Sequence, residues 1–165
     1  MKALIFGGKG VLVGPGGPRS GVRRLAREAL VAGWRVVVGA ERARSVMNVA
    51  FGMELLPDIV VAPDPLRCDP GDCLVIESTR EGLLAAGSNC VITPTPATFH
   101  ADFSEALLVV TGLGDPGAPP EVVIGGRTLT TARPWYGLAD LEWLAAIPGA
   151  RRHPERQFDD LRLHS

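Results

Sequence analysis

The chain has 165 residues, enough for one domain with a proper core and too few for two of ordinary size. An apolar fraction of 46% and a charged fraction of 21% are those of a globular protein, and a net charge of −1 excludes the basic footprint of a nucleic-acid binder or a polybasic membrane-binding surface. No run approaches ~20 consecutive apolar residues, so neither a transmembrane helix nor any other membrane insertion is expected.

Short apolar runs alternate with amphipathic stretches, the pattern of βαβ units around a mostly parallel sheet. Residues 2–6 read as a first buried strand, which runs into Gly7-Gly8-Lys9-Gly10. Gly14-Pro15-Gly16-Gly17-Pro18 is a cluster of breakers, and Ser20 is placed to cap the helix that follows. That helix carries Val22, Leu25, Ala26, Ala29 and Leu30 at helical spacing, with Arg23, Arg24, Arg27 and Glu28 outward. Gly33 ends it, and 35–38 form the second strand. Residues 41–52 are expected to make a helix with Val46, Val49 and Ala50 on its inner side. Further strands are expected at 58–62, 73–77, 90–93 and 106–110, with a short helix over 80–86, an edge strand at 121–124 and a closing helix over 138–147. From Pro148 onward the chain turns polar and Arg-rich, so the expected organisation is one domain over 1–147 and a C-terminal tail over 148–165.

The cysteines are Cys68, Cys73 and Cys90, an odd number behind a start that reads as a strand and not as a targeting sequence. Reduced thiols and a cytoplasmic location are therefore expected. Cys68 and Cys73 flank Asp69 and Asp72, but no second Cys/His pair completes a tetrahedral set, so no metal is expected there.

The most specific segment is Leu74-Val75-Ile76-Glu77-Ser78-Thr79-Arg80-Glu81-Gly82-Leu83-Leu84-Ala85-Ala86. It resembles the L-V-I-E-D-S-x-x-G-L-x-A-A segment of haloacid dehalogenase (HAD) phosphatases of the CbbY type, which act on sugar phosphates and sugar bisphosphates. Cys90-Val91-Ile92-Thr93-Pro94, the stretch from Asp102-Phe103-Ser104 to Leu113-Gly114-Asp115, Pro18 to Gly39, and Gly137-Leu138-Ala139-Asp140-Leu141 are similar to the same family in the same order. The resemblance covers residues 1 to about 147. It implies an α/β fold, a HAD-like Rossmannoid three-layer sandwich with a mostly parallel sheet.

Measured against that resemblance, the departures fall on the chemistry. Family enzymes end the first strand in D-x-D-G-[TV], where the first Asp attacks phosphorus and the second shuttles a proton. Those positions are Gly7 and Lys9 here. The hydroxyl clamp after the second strand falls at Ala40, and no lysine stands near Ala62-Pro63-Asp64-Pro65. Of the acidic pair that holds magnesium, Glu77 remains and the second position is Ser78. The cap, a helical insert in the family, is reduced to Val11 to Pro18. Covalent catalysis needs a positioned nucleophile, and magnesium needs several hard oxygens. The expectation is thus a capless, catalytically inactive member with no catalytic residues, no metal and no cofactor.

Three functions stay open. The first is a non-catalytic subunit or regulatory partner in a hetero-oligomeric protein complex. Its interface candidates are Trp135, Tyr136 and Trp143, whose alternative role is packing on the core, with Arg151, Arg152 and Phe158 of the tail. The second is a sensor that holds a sugar phosphate, without turning it over, at Gly7, Gly8, Lys9, Gly10 and Thr93; otherwise the loop is a relic with Lys9 in water. The third is a hydrolase with an altered site. A dinucleotide loop is disfavoured, because Pro15-Gly16-Gly17-Pro18 blocks a helix where the pyrophosphate would need one. The histidines His100, His153 and His164 are scattered and read as surface residues.

Overall fold

The computed structural model describes residues 2–39, 44–62, 71–87, 89–127 and 133–147. The expected tail, Ala40 and the 63–70 connector lie outside these segments.

A seven-stranded sheet carries the fold. In chain order its strands are β1 (Ala3–Phe6), β4 (Arg35–Val38), β5 (Ile59–Val61), β6 (Cys73–Glu77), β7 (Cys90–Ile92), β8 (Leu108–Val110) and β9 (Val123–Gly125). A two-residue ladder, β2 (Val13–Gly14) with β3 (Gly17–Pro18), stands apart from it. The spatial order is β5-β4-β1-β6-β7-β8-β9, parallel throughout except for the antiparallel pair β8–β9. Strands covered on both faces read as unbroken apolar runs, and Ala-Leu-Ile-Phe of β1 and Cys-Leu-Val-Ile-Glu of β6 are buried along their whole length.

Helices α1 (Val22–Val31), α2 (Arg44–Phe51) and α4 (Leu138–Ala146) pack on one face. They share a core with Leu4, Phe6, Val36, Val38, Leu74 and Ile76. Helix α3 (Arg80–Ala86) covers the other face, where Leu83 meets Ile5, Val37, Val75 and Ile92. The alternation of inward side chains along each strand thus divides two cores, and the three-layer α/β sandwich implied by the resemblance is the observed one.

Local chemistry corrects several expectations. Helix α1 is capped at Gly21, not by the Ser20 side chain. Gly21 sits at φ 78°, and a Cβ there would stand 2.5 Å from the Leu113 side chain, so only glycine fits. Ser20 Oγ instead donates to Glu121 at 2.7 Å. Helix α2 buries Met47, Ala50 and Phe51, while Val49 is 47% exposed, because Phe51 packs edge-on against Phe6 at 5.5 Å and sets the helix's rotation. The expectation of three reduced thiols also fails, since Cys73 is disulfide-bonded while Cys90 is a buried free thiol. An odd count requires only one cysteine to remain unpaired. No helix among the described residues is long and apolar enough to cross a membrane.

The connections fix where a site can form. From β1 the chain moves through α1 toward β4, whereas β6 leads through α3 toward β7 on the opposite side. The carboxyl ends of β1 and β6, adjacent at the register Phe6↔Ile76, are therefore the topological switch point, where open parallel sheets bind ligands.

Candidate functional site

At that switch point β1 runs into Gly7 and β6 ends in Glu77. The Gly7 N–H donates to the Ile76 carbonyl at 2.9 Å, which extends the ladder by one residue. The Gly8 N–H donates to Glu77 Oε2 at 3.1 Å. Glu77 is 9% exposed, and its carboxylate lies directly over Gly7: a Cβ built on Gly7 would stand 1.7 Å from Oε1 and 2.1 Å from Cδ. On its other side Gly82 leaves the same clearance, with a built Cβ 2.4 Å from Oε2. The carboxylate therefore occupies a slot that exists only because residues 7 and 82 have no side chains. Where the family resemblance expects a nucleophilic aspartate, the volume is filled by Glu77.

Next to it, Ser78 is fully buried and its hydroxyl donates to the Lys9 carbonyl. Lys9 itself is exposed. Gly10 turns the chain at φ 86°, and a Cβ there would meet the Thr95 methyl at 2.7 Å. Thr93 is buried at 3% exposure, with its N–H on the Glu77 carbonyl at 2.8 Å. The structure therefore brings Gly7, Gly8, Lys9, Gly10, Glu77, Ser78 and Thr93 to one sheet edge. Ala40, the remaining expected motif position, lies outside the described residues.

Among the described residues the donors at this edge are too few to fit a magnesium ion. Glu77 is committed to a backbone N–H, Ser78 offers its proton to a carbonyl, and the position of the second aspartate holds an ammonium group. Among the described residues no group of three or more His, Cys, Asp or Glu is arranged to hold a metal.

Arg19, which sequence reasoning passed over, closes the edge from the other side. Its Nη1 donates to the Gly10 carbonyl at 3.3 Å, and its Nη2 reaches the carbonyls of Thr93 at 3.0 Å, Pro94 at 3.1 Å and Thr111 at 3.1 Å. Burial lowers its pKa and the Glu121 carboxylate raises it in opposition. One guanidinium thereby ties together the loops that follow β1, β7 and β8. No sequence motif marks it, because its acceptors are backbone carbonyls. Glu121 joins the same network by accepting from Ser20 Oγ at 2.7 Å and Thr111 Oγ1 at 2.6 Å.

The aromatic candidates separate. Tyr136 is fully buried in the first core and is corrected from an interface candidate to a packing residue. Trp135 is half-buried, with its ring 4.8 Å from the Arg24 guanidinium carbon. Trp143 on α4 is 61% exposed. Arg151, Arg152 and Phe158 lie outside the described residues. Cys90 is no nucleophile at neutral pH, because burial and then the Glu77 carboxylate push its thiol far above the ordinary range.

The chain is 41% identical over 90 residues to "Protein CbbY, plasmid" of Cupriavidus necator, a match covering 52% of this chain and 34% of that protein. It is 31% identical over 123 residues to a "CBBY-like protein" of Arabidopsis thaliana, covering 59% of this chain and 39% of that one. A haloacid dehalogenase-like hydrolase domain-containing protein of Arabidopsis thaliana is 31% identical over 126 residues, with the same shares. The matches thus span between a third and two-fifths of the length of these relatives. No family model matches the chain.

Proposed function

We propose that the chain is a non-catalytic member of the haloacid dehalogenase superfamily, CbbY type, acting as a subunit or regulator on a protein partner; its similarity to the CbbY-named proteins supports the family. The observation that carries the proposal is the position of Glu77. Its carboxylate fills the volume an attacking aspartate at position 7 would need, and it is held there by the Gly8 N–H. In-line attack on phosphorus needs an oxygen nucleophile and a cation to gather the phosphoryl charge. Gly7 supplies no side-chain oxygen, and the described residues of the edge offer no cluster of ligands for a cation. The segment between β1 and α1, residues 7–21, contains one two-residue ladder and no helix, so nothing in it resembles a cap that would shield a reaction from water.

A docking role is supported by the exposed indole of Trp143, a residue type that anchors interfaces, on a helix whose other face is core. The loop as a phosphate cradle has less support, since the Gly7 and Gly8 N–H groups are already spent inside the protein.

Two measurements test the proposal. The purified protein, given magnesium and para-nitrophenyl phosphate or a panel of sugar phosphates, is expected to release no phosphate above buffer. Affinity purification at near-native expression is expected to recover a stoichiometric partner that Trp143→Ala weakens. Magnesium-dependent turnover that Glu77→Gln abolishes would overturn the non-catalytic assignment, and an unchanged monomer in the native cell would overturn the docking role.

A further inference from the structure

We propose that the protein binds a small phosphate ester away from the sheet edge, in the arginine-lined cavity between the start of α1 and the end of α2. It is an open groove of about 450 Å³, within the range of small-molecule sites. Four arginines line it, Arg19, Arg23, Arg24 and Arg27, against a single lining carboxylate, Asp115.

The guanidinium donors of this wall are not all used. Asp115 Oδ2 accepts the Gly21 N–H at 2.9 Å, and its Oδ1 lies 3.4 Å from Arg24 Nε. Arg24 is further matched by Glu28 at 2.5 Å and by the Gly114 and Tyr136 carbonyls, both at 2.8 Å. Asp115 and Arg24 thus neutralise each other, and Arg19 is spent on backbone carbonyls beside Glu121, which leaves Arg23 and Arg27 as the lining cations with donors to spare. Arg23 spends one Nη2 bond on the Val49 carbonyl at 3.1 Å and makes no other hydrogen bond among the described residues. Among the described residues Arg27 has only Glu54, 3.9 Å away and itself 89% exposed, which is too long for a hydrogen bond.

Arg23 and Arg27 stand one turn apart on α1, where like charges repel. A dianion between them removes that repulsion and fills their unused forks, a geometry that suits phosphate oxygens. The opposite wall is apolar, formed by Val49 and Ala50, which favours a phosphate carried on a compact carbon body over a bare inorganic ion. The site is separate from Lys9, which is not among its lining residues.

Calorimetry of the full chain with glycerol 3-phosphate, at low salt, tests this. Saturable binding is expected, weakened roughly tenfold or more by Arg23→Gln/Arg27→Gln and unchanged by Lys9→Ala. Because Arg23 also holds the end of α2, Arg27→Gln alone is measured beside it, with the melting temperature of each free variant. Arg27→Gln is expected to weaken binding without lowering that temperature. Absence of binding at millimolar ligand, equal affinity in the arginine variants, loss on Lys9→Ala, or preference for a phosphoserine peptide over glycerol 3-phosphate would each overturn the proposal.

Discussion

Replacing Gly7 with alanine tests whether the Glu77 carboxylate truly occupies the end of β1. Gly7 is not among the glycines with positive φ, so an L-residue meets no backbone objection there, and any cost must come from Glu77. The new Cβ would stand 1.7 Å from Oε1, 2.1 Å from Cδ and 2.7 Å from Oε2, so the carboxylate must move. Gly82 blocks one direction, since it too lies against the carboxylate, with a built Cβ 2.4 Å from Oε2. If the carboxylate swings out to water it loses the Gly8 N–H, a charge-assisted bond worth about 1.5–3 kcal/mol. If it stays, the crowding costs about 1–3 kcal/mol. The molecule takes the cheaper exit, so Gly7→Ala is expected to cost about 2 kcal/mol, a drop of roughly 4–8 °C in melting temperature for a domain of this size. Urea denaturation of wild type, Gly7→Ala, Glu77→Ala and the double variant closes a double-mutant cycle, in which Gly7→Ala should cost less than about 0.5 kcal/mol once Glu77 is gone. An equal cost in both backgrounds would refute the shared slot, as would no cost in either.

Arg19→Ala should cost about 2–4 kcal/mol, because it strands carbonyls of three loops, and Arg19→Lys should not restore it since an ammonium cannot span the same acceptors. Hydrogen exchange should then rise together in the loops around Gly10, Thr93 and Thr111. Thr79 caps α3 by accepting the Gly82 N–H at 3.0 Å, so Thr79→Ala should lose about 0.5–2 kcal/mol in urea melts with the slope unchanged. The Arg80 side chain, donating to Glu105, holds that carboxyl below its ordinary value of 4.5, so the pair's stabilisation is present above that pH and is lost as pH falls through the lowered value. Melting temperatures of wild type and Glu105→Gln should therefore converge between roughly pH 5 and pH 3, by an amount corresponding to less than about 1 kcal/mol, as befits a pair open to solvent. A constant difference across that range would refute it.

The buried strands and helices α1, α3 and α4 were legible because each has a single unambiguous pattern: unbroken apolar runs in β1, β6 and β7, and helical spacing at Val22, Leu25, Ala26 and Ala29. Helix α2 was placed but turned wrongly, because Val46, Met47, Val49, Ala50 and Phe51 offer two overlapping apolar stripes. The choice between them belongs to Phe6, whose partner in the fold no local pattern shows. The losses at Gly7, Lys9 and Ser78 could be read from the chain. That Glu77 would fill the vacated volume could not, since it depends on a clearance set jointly by Gly7 and Gly82. Arg19 was invisible for a similar reason: its carbonyl partners lie 9, 74, 75 and 92 residues away.

The partners of Arg24 bear on how the chain is made. Its guanidinium, on α1, bonds to carbonyls 90 and 112 residues further on and stacks on Trp135. When α1 leaves a ribosome, neither carbonyl has been synthesised. The interior strand β1 likewise waits for β6, some seventy positions later, before both its edges are paired. The amino-terminal half therefore has no finished core of its own to settle into during synthesis. Loops this long make docking slow, and the exposed apolar faces of α1 and β1 are open to wrong contacts in the interval. Cellular yield should depend on chaperone supply more steeply than the melting temperature of the finished protein suggests.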